Sequence, residues 1–161
     1  GNFTYVILRA ANVYGPGQLA ASHGVVSRYA VRLLSGEPLE VWGSLRLARD
    51  FLFVSDFIGA LVRAVERPVA DLTVNIASGR ATTLAQLIRA IEQSTGKHAD
   101  IRIKSARAID MPVTRFDARL ARKKLGWRAV TPVAEGVRAT IAWLRERSES
   151  RSSAKKTVRR P

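Results

Sequence analysis

Four side chains in this sequence, taken one by one, are of types that could bind a phosphate group or an aromatic base. Asn12 follows a predicted strand at residues 4–8, and ligands of open α/β sheets bind beyond strand ends, where its amide can donate a hydrogen bond. The planar guanidinium groups of Arg49 and Arg107 match the geometry of phosphate oxygens. The indole of Trp42 offers a flat face for a base.

Each of these residues also has an ordinary structural interpretation. A turn asparagine often bonds its own backbone, and a tryptophan in a strand can simply fill the core. Most arginines are solvated surface residues. From the residues alone, we favour the surface interpretation for Arg49 and Arg107 and leave both roles open for Asn12 and Trp42.

The acidic residues and the histidines do not form a recognisable catalytic or metal-binding set. Asp56, Asp110 and Asp117 lie far apart in the sequence, and we interpret the first and last as helix caps. His23 and His98 have no metal-ligand spacing and are predicted to be surface residues. The absence of cysteine excludes disulfides, thiolate catalysis and cysteine-bound metal.

The composition is that of a globular protein with excess positive charge. The chain has 161 residues, of which 47% are hydrophobic and 25% charged, and its net charge is +14. No apolar run approaches the roughly 20 residues of a membrane helix, and no signal peptide is apparent. We therefore expect a cytoplasmic protein without membrane contact. The charge is better explained by a solvated surface than by nucleic acid, because the body lacks a basic stripe with interleaved aromatics.

Apolar periodicity predicts an α/β protein. The predicted strands are 4–8, 39–42, 50–54, 72–77 and 100–104, with the first buried on both faces and the last half exposed. The predicted helices span 25–34, then from Ser55 or Asp56 to before Pro68, from Thr82 or Thr83 to Gly96, 118–125, and from Thr131-Pro132 through Leu144. Residues 1–147 form the folded part, and the basic stretch 148–161 is predicted to be a disordered tail.

Several segments, in order, resemble extended short-chain dehydrogenases/reductases of the NAD-dependent nucleotide-sugar epimerase/dehydratase family. The resemblance covers about residues 3 to 145 and is closest in character to UDP-glucose 4-epimerases and related dehydratases. The segments are 8–18 (LRAANVYGPGQ), 36–43 (GEPLEVWG), 49–56 (RDFLFVSD), 75–79 (NIASG), and the last stretch with Arg107, Asp110, Asp117, 124–127 (KLGW) and Thr131-Pro132.

The resemblance implies a fold and a set of site residues. The fold would be the C-terminal part of a Rossmann-like parallel sheet together with the small α/β substrate-binding domain. The implied roles are Arg49 and Arg107 on the diphosphate, Trp42 and the backbone of Val41 at the base, Asn12 on a phosphate or sugar hydroxyl, and Ala10 and Ala11 beside the cofactor.

Two parts of the family's catalytic apparatus are not found in this sequence. Its hydride-transfer chemistry uses a Tyr-x-x-x-Lys pair, but no lysine stands four residues after Tyr5, Tyr14 or Tyr29. Gly15 and Gly17 follow a strand without the glycine pattern that opens a dinucleotide-binding helix. The resemblance therefore implies a C-terminal half that is inactive alone, with NAD or NADP bound mainly by an N-terminal half.

Two hypotheses follow. The chain is either a piece of such an epimerase or dehydratase, pairing with an N-terminal half that could be a separate chain, or a non-catalytic binding or scaffold module whose basic tail contacts nucleic acid. We favour the first and do not expect a nucleic acid partner. A protein that used only its tail to bind nucleic acid would have no use for the family-like segments described above. The sugar, the choice among epimerase, dehydratase and reductase, and the oligomeric state stay open.

Overall fold

The computed structural model describes residues 3–18, 24–106, 108 and 110–157, with side chains up to residue 150. This part of the chain is α/β, as predicted. Its strands are β1 (Val6–Ala10), β2 (Asn12–Tyr14), β3 (Leu39–Trp42), β4 (Ala48–Arg49), β5 (Phe51–Phe53), β6 (Leu72–Ile76), β7 (Thr82–Thr83) and β8 (Ile101–Lys104). Its helices are α1 (Val25–Ser35), α2 (Val54–Glu66), α3 (Leu84–Thr95), α4 (Arg119–Leu125) and α5 (Val133–Thr157).

The strands form parallel pairs, with one short antiparallel exception. β1 pairs with β6, β2 with β5 and β3 with β8 in parallel, whereas β4 and β7 are antiparallel. The first two pairs meet between β1 and β2: the Ala11 amide donates to the Ile76 carbonyl at 2.9 Å, and the Asn12 amide to the Asp50 carbonyl at 3.0 Å. The chain thus changes partner strand at Asn12.

The first of two hydrophobic cores lies among helices α1, α3 and α5 and strands β3 and β5. Leu33, Leu39, Leu87, Ile91 and Ile141 are buried in it. Within α3, for example, Leu87 and Ile91 are four residues apart and so lie on the same buried face of the helix. The first core therefore holds three helices against the strands that lead to Asn12, Trp42 and Arg49.

The second core lies among β6, α2, α4 and the segment that follows α4. Leu52, Val74, Ile76, Leu125 and Trp127 are buried in it. The indole Nε1 of Trp127 donates to the backbone carbonyl of Asp56 at 2.9 Å, so the tryptophan has a partner for its polar group.

One face beside the second core exposes apolar side chains, so the prediction that the first strand is buried on both faces is wrong. Ile7 in β1 is 49% exposed, and α2 exposes Leu61, Val62 and Val65 on its outer side. In the described part of the chain, β1 has a paired strand on one edge, β6. Strand β8, predicted to be half exposed, has all four residues exposed.

The residues predicted at helix ends are confirmed at the start of α3 and at the ends of α1, α3 and α4. Thr83 forms a capping box with Gln86 at the start of α3, and α1 ends at the left-handed Gly36. The predicted cap of α2 is wrong, because Phe53 holds that position and no side chain caps it. Asp56 lies in the first turn of α2 instead.

The carboxylates of Asp56 and Asp117 have structural contacts. One Asp56 oxygen accepts hydrogen bonds from the amides of Val130 and Thr131 at 3.3 and 3.0 Å. The prediction that Asp117 caps α4 is wrong by one residue, because Ala118 holds the N-cap position; Asp117 precedes it and accepts from the Arg119 amide at 2.9 Å. Asp56 therefore ties α2 to the start of α5, and Asp117 holds the first turn of α4.

Helix α5 continues through Thr157. Residues 148–157, predicted to be disordered, are therefore helical in the structure. A helix that is already formed grows without a new nucleation cost. The hydroxyls of Ser148 and Ser150 also donate to the carbonyls of Arg145 and Glu146 at 2.8 and 2.9 Å. Residues 158–161 lie outside the described part. Within it, no helix is both long and apolar enough to cross a membrane.

Candidate functional site

A cavity of about 410 Å³ lies where β2, β4 and β5 approach α1 and the end of β3. Three residues predicted from the sequence line it: Asn12, Trp42 and Arg49. They come from three different strands, and the first core packs the helices around them. The structure therefore brings together residues that are 37 positions apart along the chain.

The Arg49 guanidinium is held in place at the wall of this cavity. Its Nη1 donates to the carbonyls of Ala48 and Met111 at 2.9 and 2.7 Å, and its Nη2 lies 3.8 Å from an Asp110 oxygen. These contacts fix the plane of the fork before a ligand arrives, which lowers the ordering cost of binding. Arg107, the other arginine predicted to bind the diphosphate, lies outside the described residues.

Asn12 is oriented by the strand beside it. Its Nδ2 donates to the Asp50 carbonyl at 2.9 Å, so the amide is committed on one side to a residue 38 positions away. The Asn12 amide was predicted to bond either to a ligand or to its own backbone in a turn. The bond to Asp50 is neither of these. The side chain is exposed, and its Oδ1 accepts no hydrogen bond from the described residues.

Trp42 and Val41 lie on opposite sides of β3, because side chains alternate along a strand. Trp42 is 42% exposed and lines the cavity, so it does not serve as a core filler. Val41 is fully buried in the first core, and its side chain does not line the cavity.

The two predicted cofactor residues lie outside the cavity. Ala10 is exposed at the end of β1, and Ala11 is buried, with its amide bonded to Ile76. His98 is exposed, as predicted. His23 lies outside the described residues.

Helix α1 contributes two polar cavity residues that sequence reasoning missed. Arg28 and Tyr29 line the cavity beside Arg49 and Asp110. The Arg28 guanidinium lies 5.9 Å from the Tyr29 ring centroid, and the Tyr29 hydroxyl donates to the Glu40 carbonyl at 3.1 Å. No local spacing marks Arg28, because its position depends on how α1 packs over the strands. It adds a second cation to the cavity.

Asp50 is the buried residue that organises this region. Its backbone carbonyl accepts both Asn12 bonds, while its carboxylate accepts from the Ser78 amide at 2.9 Å, the Ser78 hydroxyl at 2.6 Å, the Gly79 amide at 3.0 Å and the Phe116 amide at 3.4 Å. A fully buried carboxylate needs such partners. Asp50 thus joins two loops to the strand that follows Arg49.

Tyr14 belongs to the cavity wall and remains protonated. Its hydroxyl donates to the Val133 carbonyl at 3.3 Å, and a Cβ at Gly136 would collide with it. Burial, and then the charge of Asp56, raise the pKa of its phenol. A phenol with a raised pKa suits a structural role.

Known proteins share this arrangement of elements. A family model described as the NAD dependent epimerase/dehydratase family matches residues 1–77. The solved UDP-glucose 4-epimerase of Thermotoga maritima, in complex with UDP-glucose, superposes with a TM-score of 0.85 at 33% identity, covering 89% of this chain and 47% of that one. The chain is therefore similar to the NAD dependent epimerase/dehydratase family in the sequence of residues 1–77 and to a UDP-glucose 4-epimerase in its fold.

The relatives that match this chain are named for different reactions. The UDP-glucuronic acid decarboxylase 1 of Xenopus tropicalis is 31% identical, over 91% of this chain and 35% of its own length. The Thermus thermophilus UDP-glucose 4-epimerase, solved in complex with NAD, has a TM-score of 0.79 at 27% identity, over 88% of this chain and 47% of that one. The chain spans less than half the length of each of these relatives.

Proposed function

We propose that this chain is the substrate-binding half of an NAD-dependent nucleotide-sugar 4-epimerase or dehydratase and that it binds the nucleotide diphosphate. The observation that carries the proposal is the shared cavity of Asn12, Trp42 and Arg49. Its volume of about 410 Å³ lies within the roughly 300–1,000 Å³ that small-molecule sites occupy. A UDP-sugar is the best-supported ligand, since the Thermotoga relative was solved with UDP-glucose.

The predicted site residues would share the binding of the ligand. Arg49, fixed by Ala48 and Met111, would bind the diphosphate, with Arg28 as a second cation in the cavity. Arg107, which lies outside the described residues, would also bind the diphosphate, as the family resemblance implies. Exposed Trp42 would lie against the base, with the backbone of Val41 beside it. Asn12 would offer its amide oxygen and remaining N–H hydrogen to a phosphate or sugar hydroxyl.

The cofactor, NAD or NADP, would be bound mainly by an N-terminal half. The described residues do not fit a dinucleotide well: Gly15 and Gly17 do not lead directly into a helix, and Ala10 and Ala11 offer little beyond an exposed methyl group and an amide already bonded to Ile76. These two alanines would form only an edge of its site. The cofactor would supply the hydride exchange, and this chain would hold the sugar nucleotide in position.

The exposed apolar face of β1 and α2 supports an N-terminal half that covers it. Contiguous apolar surface of this kind commonly marks a protein interface. The partner could belong to the same polypeptide or be a separate chain, and it would supply the Tyr-x-x-x-Lys pair. By this proposal, the chain does not turn over substrate on its own.

Binding of UDP, measured by isothermal titration calorimetry, tests the substrate site. We expect Arg49→Ala to weaken binding about tenfold or more, because a hydrogen bond to a charged group is lost. Arg46→Ala is the matched control: Arg46 is exposed three residues away and does not line the cavity. Equal affinities for Arg49→Ala and the unmodified chain would refute the assignment.

Reconstitution tests the division into halves. We expect no epimerisation of UDP-glucose by this chain alone, and turnover when it is combined with an N-terminal half that carries the Tyr-x-x-x-Lys pair. Turnover by the chain alone would contradict the proposal. Arg49→Ala should abolish the restored activity, whereas Arg46→Ala should retain it.

A further inference from the structure

A second, larger cavity lies apart from the substrate cavity and shares no lining residue with it. Its volume is about 880 Å³. The arginine cleft, as we call it, is lined by five arginines from the β6–β7 loop, the segment before α4, α4 itself and the segment after α4. They are Arg80, Arg115, Arg119, Arg122 and Arg128.

The charge of the arginine cleft is largely uncompensated. Its one acidic lining residue, Asp117, accepts bonds from the Arg119 guanidinium at 2.7 to 3.1 Å. Hydrogen bonds from Arg119 and the charge of Arg115 hold the pKa of Asp117 at about 2, so this carboxylate is ionised at neutral pH. The guanidinium groups of the other four arginines have no ion pair or hydrogen bond with another described residue. Four positive charges therefore face one concave space.

The backbone that carries these arginines is anchored from beneath. The buried Asp50 carboxylate binds the amides of Gly79 and Phe116, which neighbour Arg80 and Arg115. Arg119 and Arg122 are three residues apart on α4, a spacing that places them on one helix face.

The segment after α4 is anchored as well. Trp127 and Val130 both bond to Asp56, on either side of Arg128. The arginine cleft is thus attached to two buried aspartates rather than to free loops, which reduces the ordering cost of a ligand.

These features match a compact ligand with several phosphate groups. Guanidinium forks pair with phosphate oxygens through two parallel hydrogen bonds. A strand of nucleic acid would instead favour an extended basic groove with stacking aromatics, and the one aromatic residue lining the cleft, Phe116, is half-buried. We propose that the arginine cleft binds a small molecule carrying two or more phosphate groups, at a site separate from the substrate cavity.

Calorimetric titration of the full chain with inorganic triphosphate tests this proposal. The variant Arg115→Gln with Arg122→Gln should bind triphosphate about tenfold or more weakly, because two charge-assisted contacts are lost. The control Arg89→Gln with Arg138→Gln removes the same charge from exposed positions on α3 and α5, outside the cleft. It should change the affinity by less than about twofold, since distant exposed charges are screened.

Four outcomes would overturn the proposal. The first is no triphosphate binding at low salt, and the second is an equal loss in both double variants, which would show attraction to net charge alone. The third is loss of triphosphate binding in Arg49→Ala with full binding in Arg115→Gln/Arg122→Gln, which would place the ligand in the substrate cavity. The fourth is tighter binding of a single-stranded oligonucleotide with the same dependence on Arg115 and Arg122, which would make the cleft a nucleic acid surface.

Discussion

The two cores of this molecule differ in how completely they are enclosed. Around the first core, α1, α3 and α5 pack against strands and bury large side chains such as Leu39, Leu87 and Ile141. Beside the second core, β1 and α2 leave Ile7 and Leu61 in solvent. The first core can therefore form from this chain's own elements, whereas the second presents a surface that another segment could cover.

Strand β5 lies between the two cores, and its successive side chains point alternately into one and the other. Phe51 packs in the first core and Leu52 in the second. Asp50, immediately before them, carries the Asn12 contact on its carbonyl and the loops of the arginine cleft on its carboxylate. The substrate cavity is built on the enclosed core, but the orientation of Asn12 within it depends on Asp50, just before β5.

The largest expected effect comes from Asp50→Asn, which disrupts the hydrogen bonds that join the two loops to β5. Every bond to this carboxylate comes from a donor, so the NH₂ group of asparagine would oppose N–H or O–H groups on one side. We expect a loss of about 3 kcal/mol in the free energy of unfolding, since buried donors are left unsatisfied. Urea denaturation followed by circular dichroism measures it.

Glu40→Gln is the control for removal of one negative charge. Glu40 forms a partly exposed ion pair with Lys104 at 3.5 Å, and such pairs contribute less than about 1 kcal/mol. If Asp50→Asn destabilised the chain no more than Glu40→Gln does, Asp50 would not connect the two regions as described.

Alkaline pH should weaken the enclosed region through Tyr14. Burial, and then the charge of Asp56, raise its phenol pKa in the folded chain. The unfolded chain releases this proton near its ordinary pKa of about 10, whereas the folded chain retains it. Stability should therefore be unaffected by this group below about pH 10 and fall as the pH rises further.

Tyr14→Phe separates this effect from general alkaline unfolding. At neutral pH it should cost about 1 kcal/mol through the lost hydrogen bond to Val133. Between about pH 8 and about pH 11, the variant should lose less unfolding free energy than the unmodified chain. An equal loss in both proteins would show that Tyr14 is not the group responsible.

The sequence predicts the elements better than it predicts their surroundings. Thr83, Gly36 and Gly96 mark helix ends through local backbone chemistry, and the structure has those ends. Asp56 does not cap α2, because its carboxylate bonds to Val130 and Thr131, far along the chain. Long-range partners of this kind leave no local pattern.

The same distinction holds for the substrate cavity. Asn12, Trp42 and Arg49 could be singled out because they lie at or next to the ends of predicted strands, within recognisable segments. Arg28 could not be singled out, since its place depends on how α1 packs. The fixed position of Arg49 likewise depends on the Met111 carbonyl, 62 residues away.

The smallest expected effect is that of Val65→Ser on the exposed face of α2, and the same substitution at a buried valine provides its comparison. Val65 on α2 is 87% exposed, and valine and serine have similar helix propensities. Val65→Ser should therefore change the free energy of unfolding by less than about 0.5 kcal/mol. Val137→Ser on α5 places the same change in the enclosed core and should cost about 2 kcal/mol or more, because Val137 is fully buried.

A loss above about 1 kcal/mol for Val65→Ser would mean that the α2 face is covered in solution, for example by a second copy of the chain. Sedimentation of both proteins would then show whether that copy is the cover, since the variant should associate less.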